Sequence, residues 1–344
     1  MSENGAVAGG AWVKEGGEGA GGGTWGVRAG REWDGSVGAG VRSVPAPVGV
    51  DRWRAHTPFT NPGGYREVLV ALPSEVAGIG ARVRQVLTHY RSGGRVGVGE
   101  RWEEIDLRWV EALLATDAAR DGREWSVERA EPLVGCCRDF AVLTVAALRE
   151  HGVAARSRVG FASYLNRDFG TDHVVVEYWD GERWVWADPQ LDPEVGWGVD
   201  PLDLSHEGVV GEVAFSGASA VWLAVRSGEV EGSGFGVDPG LPMLRGGWLV
   251  RDYVWLEVAH RLGVETLLWD GWGAMGRWGE SALTDEVAGL VVAADGGDGG
   301  AEEELARRFV GDGRLAPGGW VYCASPSGYR GWVDLDARVG EPRL

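Results

Sequence analysis

The chain has 344 residues and a formal net charge of −18, from 33 Lys plus Arg against 51 Asp plus Glu, and Lys14 is its only lysine. With no lysine in any segment that reads as folded, a pyridoxal Schiff base and a Walker-type phosphate loop are excluded, because each needs the ε-amine. The acidic balance also argues against nonspecific nucleic-acid binding, which needs a basic patch on the phosphate backbone.

Taken in chain order, the first predicted segment is unfolded. Of the 58 glycines, 14 fall between Gly5 and Gly40, more than a third of the positions there, with isolated Trp12, Trp25 and Trp33 and no sustained periodicity, so residues 1–50 read as a flexible tail. Met1-Ser2-Glu3-Asn4 has no basic, apolar leader character and no stretch of the chain is apolar for long enough to cross a membrane, so no membrane association is expected. Three cysteines, an odd number, point to reduced thiols and a cytoplasmic location. After Pro45-Ala46-Pro47, Ser74 is a predicted N-cap for a helix carrying Val76, Ile79, Val83, Val86 and Leu87, stopped by Gly93-Gly94. A second helix is predicted over Trp102 to Ala115, with Ile105, Trp109, Ala112 and Leu113 on one face and Asp117 at its exit. Gly135-Cys136-Cys137-Arg138-Asp139-Phe140 then opens an apolar helix through Val142, Leu143, Val145, Ala146 and Leu148, closed by Gly152 at C′. A β-rich stretch follows at Ala155 to Tyr164. Strands are next predicted over Asp172 to Trp179 and Glu182 to Asp188, joined at Asp180-Gly181, a strong hairpin signal. Further helices are expected over Trp248 to Leu262, Thr284 to Ala294 and Ala301 to Phe309. There is no repeat of solenoid period.

The hairpin carries the chemistry. A two-residue turn at Asp180-Gly181 pairs Trp179 with Glu182 and sets His173 directly opposite Asp188, where Cβ atoms stand about 4.5–5.5 Å apart and a carboxylate can orient an imidazole. A one-residue slip would put them on opposite faces. His173 shares its face with Val175, Glu177, Trp184 and Trp186; Val174, Val176, Val185 and Ala187 take the other. Cys137, at a helix start, feels the positive end of the helix dipole, and an imidazolium nearby would lower its pKa further. Cys137, His173 and Asp188 are therefore candidates for nucleophile, general base and orienter. The first helical N–H groups, that of Cys137 included, are free to hold an oxyanion.

Three blocks resemble a known family, the transglutaminase-like superfamily of papain-type cysteine enzymes. They are Gly135-Cys136-Cys137-Arg138-Asp139-Phe140 running into Leu148-Arg149 and Gly152-Val153-Ala154-Ala155-Arg156, then Asp172-His173-Val174-Val175-Val176-Glu177, then Trp184-Val185-Trp186-Ala187-Asp188-Pro189. The resemblance spans roughly Glu131 to Asp192 and implies that Cys137 is the nucleophile, His173 the base and Asp188 the third member. It selects Cys137 over Cys136, which is expected to pack or tune access. Arg138 and Asp139 are expected to brace the helix start, and Trp184 and Trp186 to line a substrate groove. Cys323 reads as structural. No role is assigned to His56, His89, His151, His206 or His260. Gly21 to Gly26 and Gly271 to Gly276 match G-x-G-x-x-G, but the first lies in the tail and the second lacks the following helix that a dinucleotide site requires.

The expected fold is α+β: a papain-like core over 51–200 in which the Cys137 helix packs on an antiparallel sheet, with 201–344 as a helical or mixed covering layer or small domain. The expected reaction is acyl transfer from an amide, ester or thioester to an amine through a thioester, with hydrolysis by water as the alternative and a non-catalytic binding module as the rival class. No cofactor is implied. No metal is implied either, since adjacent cysteines lack zinc-ligand spacing and no calcium-loop pattern of carboxylates occurs. Substrate identity and oligomeric state have no sequence signature.

Overall fold

The structure, a computed structural model, describes residues 49–342 apart from 93–100, 121, 123–124, 126–127, 205–213 and 277–279. The glycine-rich tail, Lys14, the Gly21 to Gly26 motif, the Gly93-Gly94 helix stop and His206 lie outside the described residues.

After α1 (Arg66–Val70), the spacing of Val76, Ile79, Val83 and Val86 forms one apolar face, and α2 (Val76–Val86) buries all four. Its N-cap is Glu75 rather than Ser74. Leu87, expected to extend this helix, instead begins β1 (Leu87–His89), which pairs in parallel with β2 (Leu133–Gly135) and so satisfies its backbone laterally. The helix expected from Trp102 is split. Trp102–Asp106 is a 3-10 turn and α3 (Val110–Arg120) follows, with Arg108 between them turned inward onto Asp270 at 3.0 and 2.6 Å. Asp117 does not end α3; it is buried and accepts from Trp125 Nε1 and Arg129.

The central helix is α4 (Cys137–Glu150), in which every residue from Cys137 to Arg149 is buried. Gly152 follows it with φ 76, the left-handed conformation of a helix C′ position. One face of α4 packs on β3 (Ala155–Ala162) and β4 (Gly170–Trp179). With β5 (Trp184–Ala187) and β6 (Phe215–Gly217) these form an antiparallel sheet of order β5-β4-β3-β6, and β7 (Phe235–Gly236) joins in parallel at Gly170 and Thr171.

The β4–β5 register corrects the expected one. Trp179 pairs with Trp184, not Glu182, and Asp180 donates its N–H to Arg183 at 3.2 Å. The turn therefore centres on Gly181 and Glu182, with Gly181 at φ 113 in the first central position and Asp180 Oδ1 accepting from both Glu182 and Arg183 N–H groups. The Asp180 side chain does better as an acceptor outside the turn than as a central residue inside it. Moving a turn centre by one residue moves the register by two, so Asp188 falls in line with Val175 instead of His173. The faces are unchanged, because side-chain direction has period two.

In the last third, α5 (Ala218–Ser227) and α6 (Gly247–Arg261) pack together and on β3, while α7 (Ser281–Asp295) and α8 (Gly299–Gly311) stack outside them. The expected helices over 248–262, 284–294 and 301–309 match α6, α7 and α8. A second antiparallel sheet, with order β11-β10-β9-β8, joins β8 (Asp270–Gly271), β9 (Trp320–Ala324), β10 (Arg330–Asp334) and β11 (Val339–Pro342). Trp255, Val291, Leu305 and Val321 lie in the same apolar cluster as Cys137, Phe140 and Val174, so both halves of the chain share one core. Arg158, fully buried, binds them electrostatically through Glu257 at 2.8 Å, Asp295 at 2.7 Å and Glu177 at 3.2 Å. No described helix is long and apolar enough to cross a membrane.

Candidate active site

Cys136 is the N-cap of α4, with extended backbone, and its N–H donates to Asp139 Oδ2 at 2.8 Å. That bond ties the first turn together from outside and makes Cys137 the first helical residue. Arg138 is fully buried: Nη1 donates to Asp139 at 3.0 Å, Nε donates to the Glu265 carbonyl at 3.1 Å and Nη2 reaches the Arg108 carbonyl. Arg138 and Asp139 thus lock the start of α4 to the loops around it, leaving neither side chain free.

β4 explains where His173 sits. On one side β4 pairs with β3 from Thr171 to Tyr178, but on the other it meets β7 only at Gly170 and Thr171 and β5 only from Val176 onward. Asp172–Val175 consequently faces a notch in the sheet, since the chain leaves the ladder after Ala187. Asp188, first residue past β5, is turned back by its N–H bond to the Pro201 carbonyl at 2.7 Å. His173 Nε2 lies 2.6 Å from Asp188 Oδ2, which also accepts from Tyr164 OH at 2.8 Å, while Oδ1 accepts from Gln190 N–H at 3.0 Å. Every side of this carboxylate is engaged. Cys137, His173 and Asp188 are buried, at 4%, 2% and 1% exposure.

The electrostatics divide the two neighbouring thiols. The Cys137 thiol is held well below the ordinary thiol value by hydrogen bonding from Cys136, against burial, and by His173 and His89. Cys136 is pushed well above it by donating to Cys137 and by burial. A group that must share its charge with one neighbour gives it to the site with an imidazole beside it. The His173 pKa is opposed by burial, yet Asp188 and then Cys137 raise it well above the ordinary imidazole value. Thiolate and imidazolium thus stabilise each other. Next to them Asp172 is raised to about 7 by burial and the Cys137 charge, and accepts from Tyr253 OH at 2.5 Å.

Four side chains here were given no role from the sequence: Tyr164, which buttresses Asp188; Asp172 and Tyr253; and His89, whose influence reaches the Cys137 thiol. Only the residue before His173, an acid inside a β-branched strand, could have prompted attention. The two tryptophans expected to line a groove are otherwise employed. Trp186 is buried, donates Nε1–H to Glu177 at 2.9 Å, and lies under Arg158 at 4.9 Å, which corrects the groove reading for it. Trp184 is half-buried beneath Arg156 at 4.6 Å. Cys323 is buried, and burial pushes its thiol up to about 12. His56 bonds Glu150 at 3.0 Å, and His260 is held between Ser157 and the Thr266 carbonyl, so both have partners the sequence did not disclose. Gly271 to Gly276 runs from β8 into a turn. Among the described residues, no group of three or more His, Cys, Asp or Glu side chains converges to hold a metal ion.

Residues 108–189 match the model of the transglutaminase-like superfamily. Within that segment the chain resembles a transglutaminase-like core. The matched segment begins at Arg108, one residue before the turn into α3, and ends just past Asp188, so α4, β3, β4 and β5 of the core all lie inside it. Among solved structures the chain is similar to a "putative cysteine protease" from Cytophaga hutchinsonii, at 17% identity over 52% of this chain and 51% of that one. The chain spans about half the length of that protein, and the TM-score of 0.30 is too low to bear on fold or chemistry. No curated protein matches significantly.

Proposed function

We propose that this chain catalyses acyl transfer from an amide, ester or thioester to an amine, through a thioester on Cys137. The observation that carries the reading is the 2.6 Å contact of His173 Nε2 with Asp188 Oδ2. An ionised carboxylate only accepts, so Nε2 carries a proton and Nδ1 is left as the nitrogen available to the thiol. In the reaction the Cys137 thiolate attacks the acyl carbonyl, and the imidazolium of His173 protonates the leaving group. The neutral imidazole then takes a proton from the incoming amine as it attacks the thioester, and Asp188 holds the ring in one tautomer throughout. The transglutaminase-like core supports a cysteine enzyme as the class. Burial of all three side chains favours transfer over hydrolysis, because a thioester shielded from bulk water survives to meet an amine.

The test uses p-nitrophenyl acetate as donor. Intact-protein mass should show an acetyl adduct on the wild type and none on Cys137→Ala, and butylamine should discharge it faster than buffer alone. An adduct that water always discharges, whatever the amine concentration, would convert the reading to a hydrolase. Equally slow labelling of Cys136, Cys137 and Cys323 by iodoacetamide would make the chain a binding module.

A further inference from the structure

We infer that His89 is a catalytic residue of this site, a neutral hydrogen-bond donor to the oxyanion that forms when Cys137 attacks its acyl donor. The inference rests on the acyl-transfer reading above and adds a residue to it.

The placement is topological. In the parallel pair of β1 with β2, His89 is the Cα partner of Gly135, two residues before Cys137, and Tyr90 N–H donates to the Gly135 carbonyl at 2.8 Å. β1 therefore ends beside the start of α4, and its last residue is half-buried while the thiol is buried. The ring stacks on Tyr90 with centroids 4.9 Å apart, which limits its rotation. Arg91 N–H donates to His89 Nδ1 at 3.2 Å. A backbone N–H can only donate, so Nδ1 is the acceptor nitrogen and Nε2 carries the hydrogen. This ring therefore offers the site a donor and no lone pair, which rules it out as a second base and distinguishes it from His173. Its hydrogen bonding is among the influences that favour the Cys137 thiolate. A donor that stabilises negative charge on the sulfur before attack can follow that charge to the acyl oxygen.

The step balances without transferring the His89 proton. The sulfur lone pair forms the C–S bond and the carbonyl π pair moves to oxygen. His89 Nε2–H and the Cys137 N–H, which has no partner inside the helix, hydrogen-bond that oxygen. The pair then re-forms the carbonyl and expels the leaving group, which His173 protonates.

Two reactions of the same thiol separate the roles. Alkylation by iodoacetamide displaces iodide at a saturated carbon and has no oxyanion, so its rate on the high-pH plateau reads the thiolate alone. Acylation by p-nitrophenyl acetate passes through an oxyanion. For His89→Ala, acylation should fall about 10²–10³-fold, the loss typical of one oxyanion donor, while plateau alkylation changes less than about threefold. His89→Gln, which keeps an N–H in reach, should recover at least about tenfold of the loss. Equal falls in both reactions would assign His89 to the thiolate alone and overturn the inference; so would unchanged acylation, or a Gln variant no better than Ala. A wild type that alkylates rapidly but does not acylate would instead defeat the acyl-transfer reading itself, before any variant is compared.

Discussion

His173 and Asp188 meet at 2.6 Å although they are not cross-strand partners. Asp188 has already left β5 and lies level with Val175, so the two side chains approach diagonally on one face across the notch between β5 and β7. Diagonal neighbours have backbones about 7–8 Å apart, a span that an imidazole and a carboxylate together close. Tyr164 OH and Gln190 N–H fix the carboxylate at the other end of that span.

Asp188→Asn should lower acylation of Cys137 by roughly 10³–10⁴-fold, since the amide can favour the wrong imidazole tautomer. The sign for pH follows from the charge. Asp188 raises the His173 pKa, so without it the imidazolium deprotonates at lower pH and stops supporting the thiolate. The acid limb of iodoacetamide alkylation should therefore move to higher pH. A variant with unchanged limb and unchanged acylation would mean that Asp188 does not act through His173.

Tyr164→Phe removes one neutral donor from Asp188 and leaves His173 and Gln190 in place. The lost bond is of the order of 1 kcal/mol net, so a decrease of about fivefold in acylation is expected, with Tm lowered by a few degrees. Steady acylation kinetics beside a thermal melt measure both. A loss as large as that of Asp188→Asn would show that the phenol does more than hold the carboxylate.

Arg158→Met should destabilise the fold by about 3–5 kcal/mol, because Glu177, Glu257 and Asp295 lose a shared buried partner. Urea unfolding gives the value. The Met stem replaces the packing of the arginine stem, so the loss reads charge more than volume. A loss under about 1 kcal/mol would mean that these carboxylates find other partners.

His260 is held neutral, its pKa lowered to about 3 by burial and then by the Arg138 charge, against an ordinary 6.5. Between those values the unfolded chain binds a proton that the folded chain does not, so stability falls as pH drops from 6.5 towards 3, at up to about 1.4 kcal/mol per pH unit. In His260→Gln this contribution to the slope should vanish. Urea unfolding at about pH 7, 6 and 5 should show a shallower decline for the variant; parallel declines would assign acid sensitivity to other groups.

Much of the core was legible in advance because its signals are local. Cys137 at a helix start needs only the glycine before it and the apolar run after it; the hairpin needs only β-branched runs around Asp180-Gly181. The register was misread by two because the choice between Asp180 and Gly181 as first central residue depends on the Asp180 side chain accepting from Glu182 and Arg183, a geometric competition that composition does not express. The inference about His173 and Asp188 survived that error because a shift of two leaves every side chain on its own face. The second sheet was missed for another reason: β8 has two residues and β9 to β11 are four or five each, too short for periodicity to stand out.

His89 and Tyr164 were illegible for a deeper reason. Each reaches the site through a contact between segments far apart in sequence, His89 by the parallel pairing of β1 with β2 and Tyr164 by the fold of the chain back onto Asp188. By itself the sequence determined the residue types and their local geometry: a thiol at a helix N-terminus, a histidine and an aspartate on one sheet face, and a nearly lysine-free chain in which Lys14 stands in the glycine-rich tail. Tertiary structure alone decided which neighbours surround them, because desolvation, hydrogen-bond partners and the division of charge between Cys136 and Cys137 depend on distance in space and not along the chain.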